Sequence, residues 1–149
     1  VKLAAAAKVL SIPFVYTEQY PRGLGPTDGE ILAALPEGAP RMEKNTFSCC
    51  DEAAFEELLQ GTGRPVPVIF GIETHICVLA TVLDLLEKGR KVVLASDACG
   101  SRDPLKAERA LSAMASAGAM VVPVESVIYH LMGRSGTPEF KELLPLFKE

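Results

Sequence analysis

Pro67-Val-Ile-Phe-Gly-Ile-Glu-Thr-His-Ile-Cys-Val-Leu-Ala80 is the stretch whose reading decides the fold of this chain. Pro67 to Phe70 forms a short apolar run of the kind that makes a strand covered on both faces. Gly71 turns the chain. From about Thr74 the apolar residues recur with helical spacing, at Ile76, Leu79, Ala80, Leu83 and Leu86, until Gly89 supplies a stop. The stretch therefore predicts a strand feeding a helix, with Cys77 in the first helical turn. Backbone N–H groups in that turn lack intrahelical partners, and the helix dipole presents its positive end there. A thiol so placed is biased toward thiolate, the nucleophilic form. Position alone leaves two roles open for Cys77, a catalytic nucleophile or a small buried hydrophobe.

The same alternation extends in both directions. Downstream, Lys91 to Ala95 reads as a buried strand ending at Ser96-Asp97-Ala98. A helix follows over Pro104 to Ala117, stopped by Gly118, then a short strand over Ala119 to Val122. Glu125 to Met132 reads as a short helix and Pro138 to Phe147 as a final amphipathic one, whose Leu143, Leu144, Leu146 and Phe147 suit a core or an interface. Upstream, Val1 to Leu10 has the Ala- and Lys-rich composition of a helix. Pro13 to Thr17 is a β-type run, and Glu18 to Pro26, with Pro21, Gly23 and Gly25, is a loop at its end. Asp28 to Leu35 fits one short helix, Arg41 to Ser48 is polar and irregular or weakly extended, and Asp51 caps a helix running to Gln60.

Strands alternating with helices imply an α/β chain with a parallel sheet covered on both faces. No strand precedes the opening helix, although a doubly wound unit normally begins with one. The chain starts at Val1, so a targeting signal, if there is one, lies ahead of what can be read.

Length and composition predict a single domain over residues 1–149, with 48% of residues apolar and a net charge of -4. No basic patch with interleaved aromatics appears, which argues against nucleic acid as a partner. No apolar run approaches the roughly 18 residues of a membrane span. The cysteines are Cys49, Cys50, Cys77 and Cys99. Cys49-Cys50 is no metal CxxC pair, and His75 and His130 are the only imidazoles. Free thiols in a reducing, cytoplasmic compartment are expected.

Other residues bear chemistry. Lys44, in Glu43-Lys-Asn-Thr-Phe-Ser48, can stabilise a nearby thiolate or stand in solvent. His75 precedes Cys77 by two, and residues so spaced on a helix face different ways, so it is a poor base for that thiol. His130 suits a core or interface, and Asp97 suits a turn in which it bonds the backbone that follows. Cys49 and Cys50 are expected to pack at a helix start, and Cys99 to be a pocket thiol or simply buried. Tyr20 and Arg22, in the loop at a strand end where α/β sheets place ligands, are the candidate substrate-binding residues. Gly23-x-Gly25 fits no phosphate loop, and no glycine-rich loop follows a strand, which disfavours a nucleotide-binding reading.

In combination these segments resemble the isochorismatase-like cysteine hydrolase family, in its eukaryotic isochorismatase domain-containing branch. The matching stretches are Gly71-Ile-Glu-Thr-His-Ile-Cys-Val78, Glu43-Lys-Asn-Thr-Phe-Ser48, Tyr16-Thr-Glu-Gln-Tyr-Pro-Arg-Gly-Leu-Gly-Pro-Thr27, Asp97-Ala98 and Glu125-Ser-Val-Ile-Tyr-His-Leu131. The resemblance implies a Rossmann-like three-layer α/β/α fold and a Cys-Asp-Lys hydrolase acting on a small amide, ester or related molecule. Cys77 would be the nucleophile and Lys44 its electrostatic partner. The N–H groups of Cys77 and Glu73 would form the oxyanion hole, with a cis peptide bond between Ile72 and Glu73. The family's triad aspartate belongs to a first strand ahead of the opening helix, and this chain holds neither. A catalytically impaired member acting as an interaction module is therefore the alternative reading. Nicotinamidases of the superfamily bind a metal through an Asp-x-His pair. Here that place reads Thr17-Glu-Gln-Tyr20, so neither metal nor other cofactor is expected. The resemblance also implies a homo-oligomer, and it does not reveal the physiological substrate.

Overall fold

The computed structural model describes residues 1–148 and shows parallel strands between two layers of helices. In chain order the elements are α1 (Lys2–Val9), β1 (Tyr16–Gln19), α2 (Pro21–Leu24), α3 (Gly29–Ala34), β2 (Arg41–Lys44), α4 (Ala53–Gly61), β3 (Val68–Ile72), α5 (Leu79–Glu87), β4 (Val93–Gly100), α6 (Pro104–Ser116), β5 (Met120–Val122), α7 (Val124–Met132) and α8 (Pro138–Leu143). Cys49–Asp51 and Leu144–Phe147 form 3-10 turns, and Thr74–Val78 forms a single π-helical turn that runs directly into α5.

β4 is the middle of the molecule, and side-chain alternation along it builds both cores. Leu94 points to one face, where Phe55 of α4, Val82 and Leu85 of α5, and Ala110 and Met114 of α6 pack. Val93 and Ala95 point to the other, against Leu3 and Ala6 of α1, Val127 and Ile128 of α7, and Leu143 of α8. Each helix buries its apolar stripe against the strands, and the three-layer α/β/α order follows. Leu143 is buried, and Leu146 and Phe147 pack against the same core, so these C-terminal residues cover the sheet from within the chain.

The strands form two parallel ladders. β1 pairs with β2, from Tyr16 opposite Arg41 to Gln19 opposite Lys44. β3, β4 and β5 form the other in that order. Between β1 and β3 there is no backbone ladder among the described residues. They meet through side chains: Phe14 and Phe70 touch edge to face with ring centroids 5.8 Å apart, and Gln19 reaches toward Cys77 at the opposite end. The β3–β4 register slips between Ile69 and Gly71, which sets Gly71 and Ile72 opposite Cys99 and Gly100. Gly71 sits at φ +127°, a backbone region that residues with a Cβ rarely adopt.

Several element bounds differ from the sequence expectations. The strand expected at Pro13 to Thr17 is Tyr16–Gln19, because Glu18, an unlikely strand residue by type, is buried and bonded from both sides. Arg41–Lys44, expected to be irregular or weakly extended, is a full parallel strand in which Met42 and Lys44 point inward. β4 continues to Gly100, past the expected end at Ala95. Asp51 does not cap α4. It closes a 3-10 turn that Ser48 caps through the Cys50 N–H, and Glu52 holds the N-cap position of α4 without a side-chain capping bond, its Oε1 accepting instead from Thr46 Oγ1. Asp97 does not bond its own following backbone; its Oδ1 accepts from Val124 N at 2.6 Å. That bond caps α7, whose N-cap residue, Pro123, has no side-chain acceptor. His130 is exposed. No helix among the described residues is long and apolar enough to cross a membrane.

Candidate active site

The candidate residues converge at the C-terminal ends of β1, β2 and β3, where open α/β sheets place their ligands. Lys44 is the last residue of β2, and strand alternation turns it inward beside Met42. It is only 4% exposed. A buried ammonium needs acceptors for its three N–H bonds, and Lys44 Nζ donates to Gln19 Oε1 at 2.5 Å, Thr46 O at 2.8 Å and Phe47 O at 2.9 Å. All three acceptors are neutral, so they hold the ammonium without discharging it.

The nearest carboxylates on these strands are engaged elsewhere. Arg41 points to the opposite side of β2, where its guanidinium binds Glu18 Oε2, with Nε at 2.6 Å, and Glu43 Oε1 at 2.7 Å. Glu18 Oε1 also accepts from Thr27 N at 2.7 Å. Hydrogen bonding from Thr27, followed by Arg41, holds the Glu18 carboxyl below its usual range, against burial, which pushes it up. Arg41 thereby keeps two acidic side chains away from Lys44.

Cys77 lies in the π-helical turn between β3 and α5, half-buried, with its sulfur 3.9 Å from Gln19 Oε1. The turn folds back on the carbonyl of Glu73, which accepts from Ile76 N at 3.1 Å and Val78 N at 3.3 Å. The bond between Ile72 and Glu73 is cis. The Glu73 side chain turns outward: Oε1 accepts from Arg102 N at 3.1 Å, and Oε2 lies 3.4 Å from Arg102 Nε and 3.9 Å from His75 Nε2. His75 bonds Ser101 Oγ through Nδ1 at 2.9 Å, so its ring serves the chain after β4 and not the Cys77 thiol. Together Ser101 and Arg102 fasten the turn that carries Cys77.

Of the other candidates, Tyr20 caps α2 in a left-handed conformation and donates its backbone N–H to Lys44 O at 2.9 Å. Its ring lies across Gly23, where any Cβ would meet a ring carbon at 2.1 Å, which explains the glycine. Arg22 is exposed on α2, and no ion pair joins it to the cluster among the described residues. Cys99 sits opposite Gly71, and Cys50 packs near Thr81; burial pushes both thiols up. Thr74, fully buried in the π-helical turn, has a hydroxyl with no hydrogen-bond partner among the described residues.

Sequence reasoning missed Gln19, Ser101 and Arg102. Their signal was position: each lies at or just past the C-terminal end of a strand, as Tyr20 does.

Comparison with known proteins bears on all of this. The family described as Isochorismatase domain matches residues 1–126. Isochorismatase domain-containing protein 2 of Xenopus laevis is 38% identical over 148 residues, covering 99% of this chain and 71% of that protein. Among solved structures, the MAR1 ribonuclease of Caenorhabditis elegans superposes with a TM-score of 0.91 at 40% identity, over 98% of this chain and 74% of that one. YcaC from Pseudomonas aeruginosa, solved with hexane-2,5-diol and covalent acrylamide, superposes with a TM-score of 0.88 at 27% identity, over 96% and 72% of the two chains.

Proposed function

Because the chain belongs to the isochorismatase domain family, we propose that it is a cysteine hydrolase of small amides, esters or related molecules. One observation carries the reading: a buried, undischarged lysine, Lys44, shares the Gln19 carbonyl oxygen with the sulfur of Cys77. In general a cation held near a thiol stabilises the thiolate, the nucleophilic form. The covalent acrylamide on YcaC supports a reactive nucleophile in this fold.

In the proposed reaction the Cys77 thiolate attacks the substrate carbonyl carbon, forming a C–S bond as the carbonyl π electrons move to oxygen. The N–H groups of Glu73 and Cys77 receive that oxyanion, and its position in a partly water-excluded turn makes such donors effective. Collapse of the adduct expels the amine or alcohol, which takes a proton from water. A second water then adds to the thioester and breaks the C–S bond, leaving a carboxylic acid and the free thiol. Tyr20 and Arg22, which follow the end of β1, are the substrate-facing residues of this proposal. The same reading has the chain work without a metal and as a homo-oligomer; sedimentation at monomer mass would overturn the second part.

Alkylation tests the reading. Near neutral pH, iodoacetamide is expected to modify Cys77 several-fold faster than Cys49, Cys50 or Cys99, and Cys77→Ala to abolish turnover of activated esters and amides. Equal labelling of all four thiols would overturn it. The second reading, a family member serving as an interaction module, is favoured by one feature: among the described residues no carboxylate contacts Cys77 or Lys44. A folded protein with slow Cys77 and no turnover would select it. The name of the worm relative makes RNA a third substrate to include in the same assay.

A further inference from the structure

We propose that Gln19 is a positioning residue that holds the Lys44 ammonium against Cys77 while keeping it charged. The inference rests on the hydrolase reading above and assigns a role to a residue outside the Cys-Lys pair.

Three observations meet on this side chain. First, its orientation is fixed: Gln19 Nε2 donates to Asn45 O at 2.9 Å, and a carbonyl can only accept, so Oε1 must point the other way. Second, Oε1 receives Lys44 Nζ at 2.5 Å and lies 3.9 Å from Cys77 Sγ, so the ammonium and the sulfur are never more than two short contacts apart. Third, Gln19 stands opposite Lys44 in the β1–β2 ladder, whereas Cys77 follows β3, with which β1 shares no backbone ladder among the described residues. The amide is thus the polar link between the lysine's sheet and the thiol's turn.

The residue type matters as much as the place. A glutamate there would reach the same atoms, but it would pair with Lys44, cancel its charge and repel a thiolate. A methionine would match the length and offer only the weak acceptor of a thioether. The neutral carboxamide accepts the ammonium, or the S–H of the resting thiol, without consuming positive charge. When the thiol ionises, Lys44 is already held on the amide oxygen that faces the sulfur.

The test is the rate at which iodoacetamide alkylates Cys77, the thiolate displacing iodide, followed by mass spectrometry across pH. Gln19→Glu is expected to slow the reaction at neutral pH by about tenfold and Gln19→Met by about threefold to tenfold, magnitudes typical of losing a nearby charge or its alignment. Both variants should approach the wild-type rate in strongly alkaline solution, where cysteine thiols in general are ionised. A residue acting through Lys44 must lose its effect when the lysine is gone, so in a Lys44→Met background Gln19→Met should change the rate no further. A wild-type rate in folded Gln19→Glu, or an equal Gln19→Met effect with and without Lys44, would overturn the proposal and leave the hydrolase reading standing. Indifferent labelling of Cys77 in the wild type would instead remove that reading, and this inference with it.

Discussion

Two threonines near the site are alike in sequence and opposite in circumstance. Thr81 Oγ1 accepts from Cys49 N at 3.0 Å and ties the start of the Cys49–Asp51 turn to α5, out of water. Thr74 Oγ1 is equally buried and accepts from nothing among the described residues. Replacing either by valine keeps the shape and removes the hydroxyl. Thr81→Val leaves a buried N–H unsatisfied and is expected to lower stability by about 1–3 kcal/mol. Thr74→Val removes an unsatisfied group and is expected to be neutral or to raise stability by about 1 kcal/mol. Urea denaturation of the two variants reads the contrast directly, and a loss at Thr74 equal to that at Thr81 would show that its hydroxyl has a partner.

At the scale of elements, β1 and β2 show where sequence reading stopped. The place of Cys77 after a strand was legible, because an apolar run, a glycine and a helical period are local signals that agree, although β3 is only partly buried and not the buried strand its apolar run predicts. The stretch Arg41-Met-Glu-Lys44 was not, since three of its four residues are charged. What makes it a strand is Arg41 binding Glu18 across the ladder, while Lys44 is satisfied by Gln19 and two loop carbonyls. Those partners lie far away in sequence, and no window of residues contains them. The same holds for Gln19, Ser101 and Arg102, whose types are common in loops and whose roles come from what the fold brings opposite them.

The Glu18 contacts also give this pair of strands a pH dependence. The folded-state value of Glu18 is lowered from the usual 4.5, so its bonds to Thr27 and Arg41 contribute stability above that value and lose it as pH falls through the lower folded value. Thermal unfolding of Glu18→Gln should therefore differ most from wild type near neutral pH. The difference should shrink below about pH 4.5. A gap that stayed constant down to strongly acid pH would mean that the carboxylate charge contributes nothing.

At the scale of the whole molecule, the α/β/α layering determines which parts can move against each other. Each ladder has its own backbone bonding, and α5 and β4 anchor the larger one through side chains with almost no exposure, such as Val82, Leu85 and Leu94. Truncating Leu85 to alanine should cost about 2–5 kcal/mol, as deep core truncations do. Between β1 and β3 the contacts are a ring pair at one end and the Gln19 amide at the other. Met42 of β2 packs in the core with Val82, Leu85 and Leu94, and Cys49 N bonds Thr81 of α5.

The two halves of the candidate site ride on different leaves: Lys44 and Gln19 on one, Cys77 on the other. A seam of this kind works as a strain gauge, because a small slip between the leaves separates cation from sulfur while both leaves keep their helices and strands. As urea rises, the alkylation advantage of Cys77 should therefore vanish at a lower concentration than the far-ultraviolet circular dichroism signal. Simultaneous loss would show instead that the leaves part only when the whole chain unfolds.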